Sequence, residues 1–165
     1  MTKIVECLTD NENQDFDVDT DEWQNIAVKL FKNLVSHKEV AEHFCLKDID
    51  YEKVFFDIRF TNSVETHELN RTYRDKDYPA DIITFALFAD DDNASVPDGQ
   101  VILGDIIIAL DKVEEMAKEE NKTFDYELKF LIAHGILHLL GFDHRDETEY
   151  NFVVKHQNLA IEELA

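Results

Sequence analysis

Hydrophobic side chains occur at every second position in some stretches of the chain and at helical spacing in others. Val54, Phe56, Ile58 and Phe60 fall on one face of a period-two pattern, which predicts a strand over 53–60. Three further stretches have the pattern of strands: Lys3–Leu8, Asp81–Phe88 and Val101–Leu110. The last stretch is apolar enough for a central position in its sheet.

Helical periodicity accounts for much of the remaining chain. The spacing predicts an amphipathic helix that contains Trp23, Ile26, Ala27, Leu30 and Leu34. Elsewhere a capping residue is followed by Glu three positions later, which predicts helices beginning after Asn62, Asp111 and Asp146. A further helix is predicted over about 125–140, ending at Gly141.

The order of these elements indicates the fold class. Two acidic segments, residues 9–22 and 89–100, are predicted to be loops. About four strands and five helices alternate without a repeated unit. This order predicts an α+β fold, in which a small mixed four-stranded sheet is covered by about five helices within a single domain over residues 1–165.

The composition narrows the classes of protein to consider. The 16 basic and 37 acidic side chains give a net charge of −21, which disfavours binding of nucleic acid or anionic lipid across a broad surface but allows a local basic site. No apolar run is long enough to cross a bilayer, and residues 1–10 do not resemble a signal peptide. Cys7 and Cys45 are too few for a disulfide framework, so we expect a cytoplasmic protein with no membrane partner.

The segment HGILHLLGFDH, residues 134–144, carries the clearest chemical signal. His134 and His138 lie four residues apart on the predicted helix, so both imidazoles can reach one ion. Gly141 allows the left-handed turn that ends a helix, so the chain can fold back and bring His144 in as a third ligand. Three imidazoles and a water form a tetrahedral site with one exchangeable position, which is typical of catalytic zinc.

The helix around these histidines favours metal binding over an ordinary core position. Between Leu128 and Leu140 the only charged residue is Lys129, so the helix is expected to be buried nearly all round. Buried imidazoles need polar partners, because leaving them unpartnered costs a few kcal/mol. A metal ion would supply that partner.

The same histidine spacing occurs in metzincin peptidases, with one difference. Those enzymes need Glu directly after the first His as a general base, and Gly135 occupies that position here. Three neutral imidazoles would leave the full double charge on the metal and lower the pKa of a bound water towards about 7. A hydrolase without a separate carboxylate base is therefore favoured, and a metallopeptidase-like hydrolase is the alternative.

Residues 70–79, NRTYRDKDYP, form the densest basic cluster in this acidic chain. Cations are common at the end of a helix, because they interact favourably with its dipole, so a solvated helix end is one interpretation. An Arg beside a metal site could instead bind a phosphate through two parallel hydrogen bonds and stabilise charge in the transition state.

These motifs resemble those of the YbeY family, which are bacterial metal-dependent endoribonucleases linked to ribosomal RNA maturation. HGILHLLGFDH is similar to the family signature H-G-x-L-H-L-x-G-[YF]-D-H, and LGDIII to its LGDI-[VI]-[IL] strand. LNRTYRDKDYPADIITF is similar to the block LN-x-x-Y-R-x-K-D-x-x-T-[DN]-V-[IL]-S-F. The chain departs from that block at Pro79-Ala80-Asp81 and Thr84, and Ala86 replaces a Pro that is common after the Phe.

The resemblance implies an α+β metallohydrolase domain with the metal in a cleft between the sheet and the histidine helix. By position, His134, His138 and His144 would hold one Zn²⁺ together with a water, and Arg74 would bind the scissile phosphate. Metal-activated hydroxide or an RNA 2′-hydroxyl would attack the phosphodiester.

The implied activity is a zinc-dependent, single-strand-specific endoribonuclease in ribosomal RNA maturation, at the 3′ end of 16S ribosomal RNA, and in ribosome quality control. Its partners would be ribosomal RNA and a ribosomal subunit or ribosome-associated proteins, and DNA is not expected. A non-catalytic ribosome assembly factor with a structural metal is the other alternative.

Overall fold

Four strands form one mixed sheet in the computed structural model, which describes residues 3–165. They are β1 (Ile4–Asn11), β2 (Lys53–Thr61), β3 (Ile82–Phe85) and β4 (Gln100–Ala109), in the spatial order β1-β2-β4-β3. β1, β2 and β4 run parallel, and β3 pairs antiparallel with β4. The apolar β4 therefore lies inside the sheet, as predicted.

Six α-helices accompany the sheet: α1 (Thr20–Ser36), α2 (Lys38–Ala41), α3 (Ser63–Tyr73), α4 (Leu110–Glu120), α5 (Phe124–Leu139) and α6 (Glu147–Glu162). The predicted α+β class and mixed four-stranded sheet are confirmed. The short α2 was not predicted, since four residues cannot display a helical period. No helix within residues 3–165 is both long and apolar enough to span a membrane.

Two of the predicted caps are confirmed and one is wrong. The side chains of Asn62 and Asp146 accept hydrogen bonds from the backbone N–H three residues later, at 3.0 and 2.8 Å. α4 instead begins after Ala109, and Asp111 lies inside its first turn. The Asp111 carboxylate accepts hydrogen bonds from the backbone N–H and the hydroxyl of Ser63, so it joins α4 to the start of α3.

The predicted loop boundaries are also corrected. β1 continues to Asn11, which pairs with Phe60, and α1 begins at Thr20, so only residues 12–19 of the acidic segment form a loop. β3 ends at Phe85, because the backbone N–H of Leu87 donates to the Phe85 carbonyl at 3.0 Å and closes a turn. The observed strand is therefore shorter than the predicted Asp81–Phe88 by three residues at its end and one at its start.

The histidine helix α5 is the central helix of the core. It packs against β3 and β4 of the sheet and against α1, α4 and α6. A Cβ on Gly135 would lie 2.9 Å from Cδ1 of Ile106 on β4, so the helix backbone rests directly on the sheet at that point. This close packing fixes which residues of α5 face the sheet and which face the cleft described next.

Candidate metal centre

Three histidines converge at one end of α5. Each ring of His134, His138 and His144 offers one nitrogen, and these nitrogens lie within 4.8 Å of one another. The Nε2 atoms of His134 and His138 are 3.0 Å apart. The structure therefore brings together all three residues that the sequence suggests as metal ligands.

The local sequence explains how the third ring returns to the first two. Gly141 adopts a φ of 100°, which L side chains rarely tolerate, and its N–H donates to the His138 carbonyl at 3.0 Å. The N–H of Phe142 donates to the Leu137 carbonyl at 3.0 Å, which completes a Schellman motif. Phe142 then stacks on Phe152 of α6 at 5.1 Å, so the segment that carries His144 is anchored at its start.

Burial keeps the two helical imidazoles neutral. Desolvation, followed by the neighbouring histidines, lowers the pKa of His134 to about 3. Desolvation and His144 also lower the pKa of His138. A metal ion binds the neutral imidazole through its free lone pair, and zinc–nitrogen bonds measure about 2.0–2.1 Å. Two Nε2 atoms 3.0 Å apart can both reach one such ion, so the donor set fits a metal with nitrogen ligands.

The histidines line a cleft of about 870 Å³. Arg74 and Lys76 line it on the side of α3, and Glu115 and Glu119 line it on the side of α4. The cleft lies beside the histidine helix, where the family resemblance places the metal.

Arg74 lies in the same cleft and is held from two directions. Its backbone N–H donates to the Asn70 carbonyl at 2.9 Å at the end of α3. Its Nη2 donates to the carbonyl oxygen of Thr84 on β3 at 2.7 Å. Arg74 and His138 line the same cleft, and the positive charge of Arg74 is one of the smaller causes that lower the pKa of His138.

Arg71 has a different environment from Arg74. Its guanidinium pairs with Asp77 at 2.9 Å and with Glu68 at 3.5 Å, and it does not line the cleft within the described part of the chain. The basic segment therefore separates into Arg71, which is paired on the surface, and Arg74 and Lys76, which face the cleft.

Asn70 is a supporting residue that sequence reasoning missed. Its side chain is buried, and its Nδ2 donates to the Tyr78 carbonyl at 2.9 Å. Its backbone carbonyl accepts hydrogen bonds from the backbone N–H of Lys76, at 3.1 Å, and from that of Arg74. Asn70 therefore fixes the loop that carries both cleft cations. The only signal in the sequence was an Asn directly before a basic helix end, because its burial is known from the structure alone.

The comparisons with known proteins agree on one family. The family described as endoribonuclease YbeY matches residues 8–165. A protein named endoribonuclease YbeY from Alkaliphilus metalliredigens is 39% identical over 118 residues, which cover 71% of this chain and 73% of that protein. A protein of the same name from Fusobacterium nucleatum is 35% identical over 135 residues, which cover 81% of this chain and 82% of that protein.

A solved structure is similar over nearly the whole chain. The solution structure of TM1509 from Thermotoga maritima aligns with a TM-score of 0.53 and 25% identity, covering 98% of this chain and 91% of that one. The family match and this fold agree with the resemblance drawn from the histidine, arginine and LGDIII motifs. The chain therefore belongs to the YbeY family of endoribonucleases.

Proposed function

We propose that residues 1–165 form a single zinc-dependent domain that cuts single-stranded RNA, with His134, His138 and His144 as metal ligands and Arg74 as the phosphate-binding residue. The observation that carries the proposal is the convergence of three imidazole nitrogens within 4.8 Å beside a cleft that also holds Arg74. Membership of an endoribonuclease family supports RNA as the substrate.

The ribosomal setting follows from the family resemblance. The substrate proposed is ribosomal RNA, at the 3′ end of 16S ribosomal RNA, in the cytoplasm, with a ribosomal subunit or its associated proteins as partners. The net charge of −21 supports a need for such partners, because most of the surface repels RNA. Affinity for free RNA should therefore be weak and should fall further as salt rises.

Zinc suits the donor set because it takes nitrogen ligands in a tetrahedral arrangement, in which three imidazoles leave one position open. Bound there, zinc would supply Lewis-acid activation of water and neutralise phosphate charge. The histidines contribute no net charge of their own, because burial holds the pKa of His134 and His138 below the usual value. Three neutral ligands leave the full double charge of the ion facing the cleft.

Arg74 would bind and orient the scissile phosphate. A guanidinium carries five N–H donors in a planar fork, and the Thr84 carbonyl accepts from Nη2. The remaining donors can form two parallel hydrogen bonds to phosphate oxygens and stabilise charge that develops during attack. Because the Thr84 carbonyl fixes the guanidinium beforehand, little conformational freedom is lost when the phosphate binds.

The geometry also argues against the peptidase alternative. Gly135 lacks the carboxylate of the metzincins, and a side chain at this position would run into Ile106. Arg74 also occupies the Thr84 carbonyl on the cleft side of β3, where an extended peptide would otherwise pair. Hydrolysis of a phosphodiester fits these features better than hydrolysis of a peptide.

Cleavage of a 5′-labelled single-stranded fragment of 16S ribosomal RNA by zinc-loaded protein tests the proposal. Removing a ligand in His138→Ala, or the phosphate contact in Arg74→Ala, should lower the cleavage rate at least about a hundredfold. Arg71→Ala is the matched control, because Arg71 is paired with Asp77 outside the cleft, and it should cut at close to the normal rate.

Equal cutting by all the proteins would contradict the proposal and indicate a contaminating ribonuclease. If no protein cuts, while zinc removal lowers the melting temperature of the unaltered protein, the structural metal of an assembly factor is the better explanation. Circular dichroism spectra of each variant establish that a lost activity does not reflect a lost fold.

A further inference from the structure

The two sides of the cleft differ in net charge. The cations Arg74 and Lys76 line the side of α3, whereas Lys112, Glu115 and Glu119 on the side of α4 leave one net negative charge. Three more acids line the rest of the cleft: Asp81, Asp90 and Asp143. Glu115 lies on the same wall as Lys112, and Lys112 Nζ is 3.3 Å from its carboxylate. The carboxylate of Glu119 makes no hydrogen bond or ion pair with any residue from 3 to 165, so its oxygens are free to accept hydrogen bonds from a bound molecule.

Between these walls, the cleft has an apolar surface close to the histidines. Ile82, Met116 and Phe130 line it and are each half-buried, so part of each side chain faces the cleft. Phe130 lies one helical turn before His134 on α5, about 6 Å along the helix axis. A flat apolar group bound at this surface would therefore lie directly beside the proposed metal site.

The charge difference determines how an RNA strand can lie in the cleft. Phosphates are attracted to Arg74 and Lys76 and repelled by the free carboxylate of Glu119. The sugar–phosphate backbone should therefore follow the α3 side, and the bases should point towards α4. Bases have apolar faces that stack on aromatic side chains and polar edges that carry hydrogen-bond donors.

We propose that the α4 side of the cleft is a nucleobase subsite, in which Phe130 and Met116 contact the face of a base next to the cut and Glu119 accepts hydrogen bonds from its amino group. The inference rests on the proposed function, since it assumes that RNA binds in this cleft. It makes Glu119 a specificity-determining residue of the reaction.

The chemistry of a carboxylate sets the order of preference among the bases. An ionised carboxylate only accepts hydrogen bonds. Guanine offers two adjacent donors, its ring N–H and its amino group, and can pair with both oxygens at once. Cytosine and adenine offer one amino group each. Uracil offers a single ring N–H between two carbonyl oxygens that repel the carboxylate, so uracil should be the least favoured base.

Four single-stranded RNA oligonucleotides that differ only in the base next to the cut test the subsite. Zinc-loaded protein should cut the guanine substrate about tenfold faster, in kcat/KM, than the uracil substrate. Glu119→Gln should remove that difference, because an amide can both donate to a uracil carbonyl and accept from its N–H. Glu115→Gln is the matched control: it removes the same charge from the same helix and should keep the preference.

A binding measurement separates failure of the subsite from failure of the proposed function. Fluorescence anisotropy with the same four sequences, measured in a chelator so that the metal-stripped protein cannot cut them, should give the same order of affinities, and Glu119→Gln should lose that order. Equal cutting and equal binding of guanine and uracil, with cutting still dependent on His138, would overturn the subsite and leave the nuclease intact.

Two other outcomes are equally decisive. If Glu115→Gln loses the preference as fully as Glu119→Gln, the cause is the overall charge of the wall and the subsite is wrong. If the unaltered protein cuts none of the four substrates, the proposed function fails, and the binding order alone decides whether bases are recognised at Glu119.

Discussion

This protein has two clusters of histidines, and their ring nitrogens are arranged differently. In the cleft, three ring nitrogens point towards a common centre that solvent can reach. In the second cluster, His37 and His156 face each other through their Nδ1 atoms at 2.8 Å. The remaining nitrogens of this pair face carboxylates: His37 Nε2 lies 2.6 Å from Glu163, and His156 Nε2 lies 3.6 Å from Glu39.

The two clusters differ in whether their ligand atoms converge on one centre. Within residues 3–165, no third ligand atom converges with those of His37 and His156 on one centre. Three of their four ring nitrogens are hydrogen-bonded, and the fourth, the buried Nε2 of His156, faces Glu39 without a hydrogen bond. His156 is only 2% exposed and packs on the ring of Phe152 at 4.4 Å. The pair therefore ties α6 to the junction between α1 and α2. Close imidazoles indicate a metal site where at least three ligand atoms share one centre, as in the cleft, whereas the pair of His37 and His156 acts as a structural link.

Zinc titration of the two clusters should give the largest contrast. His134→Ala should lower zinc affinity at least about a hundredfold, because two imidazoles cannot hold the ion as three do. His156→Ala should still bind one zinc with unchanged affinity. Isothermal calorimetry on metal-stripped protein measures both, and tight binding of one zinc by His134→Ala would contradict the assignment of the ligands.

The two variants should rank the other way round in their effect on the free energy of unfolding. In metal-free protein, His156→Ala should reduce the free energy of unfolding by about 3 kcal/mol, because it leaves a cavity beside Phe152 and removes the partner of His37. His134→Ala should cost much less, since its ring faces the cleft. Urea unfolding in a chelator measures both variants.

A double-mutant cycle tests the contact between His37 and His156 itself. Non-additive effects of His37→Ala and His156→Ala on the free energy of unfolding would support the contact, and additive effects would argue against it.

Glu127 on α5 is a buried carboxyl group with one unpartnered oxygen. It is 1% exposed, and its Oε1 forms no hydrogen bond within the described residues. Burial and the neighbouring Glu120 raise its pKa to about 7. A carboxyl group whose pKa is raised on folding lowers the stability as the pH rises from about 4.5 to about 7, because only the unfolded chain releases the proton in that range. Glu127→Gln should therefore raise the free energy of unfolding by about 2 kcal/mol at pH 8 and change it little at pH 5.

The pH dependence of the histidine pair should be the smallest effect. Burial and His37 lower the pKa of His156, against the opposing effect of Glu39, and Lys155 also lowers it. A lowered His pKa means that the unfolded chain takes up the proton first, so stability falls as the pH decreases through about 6.5. The metal-free protein should therefore lose more of its free energy of unfolding between pH 7 and pH 5 than His156→Gln does. If the free energy of unfolding falls equally with decreasing pH in the two proteins, His156 does not contribute to the pH dependence.

The sequence predicted those parts of the protein that depend on local spacing. The i, i+4 relation of His134 and His138, and the turn at Gly141, act within one helix and its end. The strands β2 and β4 and the caps at Asn62 and Asp146 are local in the same sense.

Features that depend on packing between distant segments were not predictable. His37 and His156 are 119 positions apart, and only the packing of α6 on α1 brings them together. Glu119 looks like any other exposed acid on α4, and only the tertiary structure places it on the wall of the cleft. Asp111 was assigned to a cap on local grounds, whereas its partner is Ser63, 48 residues away.

The contact between Gly135 and Ile106 has a consequence for how this scaffold could change over evolutionary time. The peptidase motif differs from this helix by one glutamate after the first histidine. Gly135→Glu would press a side chain against that of Ile106, since even a Cβ would lie 2.9 Å from Ile106 Cδ1. A lineage that gained this glutamate would have to move or shorten Ile106 as well. The packing of one glycine thus couples the histidine motif to the central strand β4.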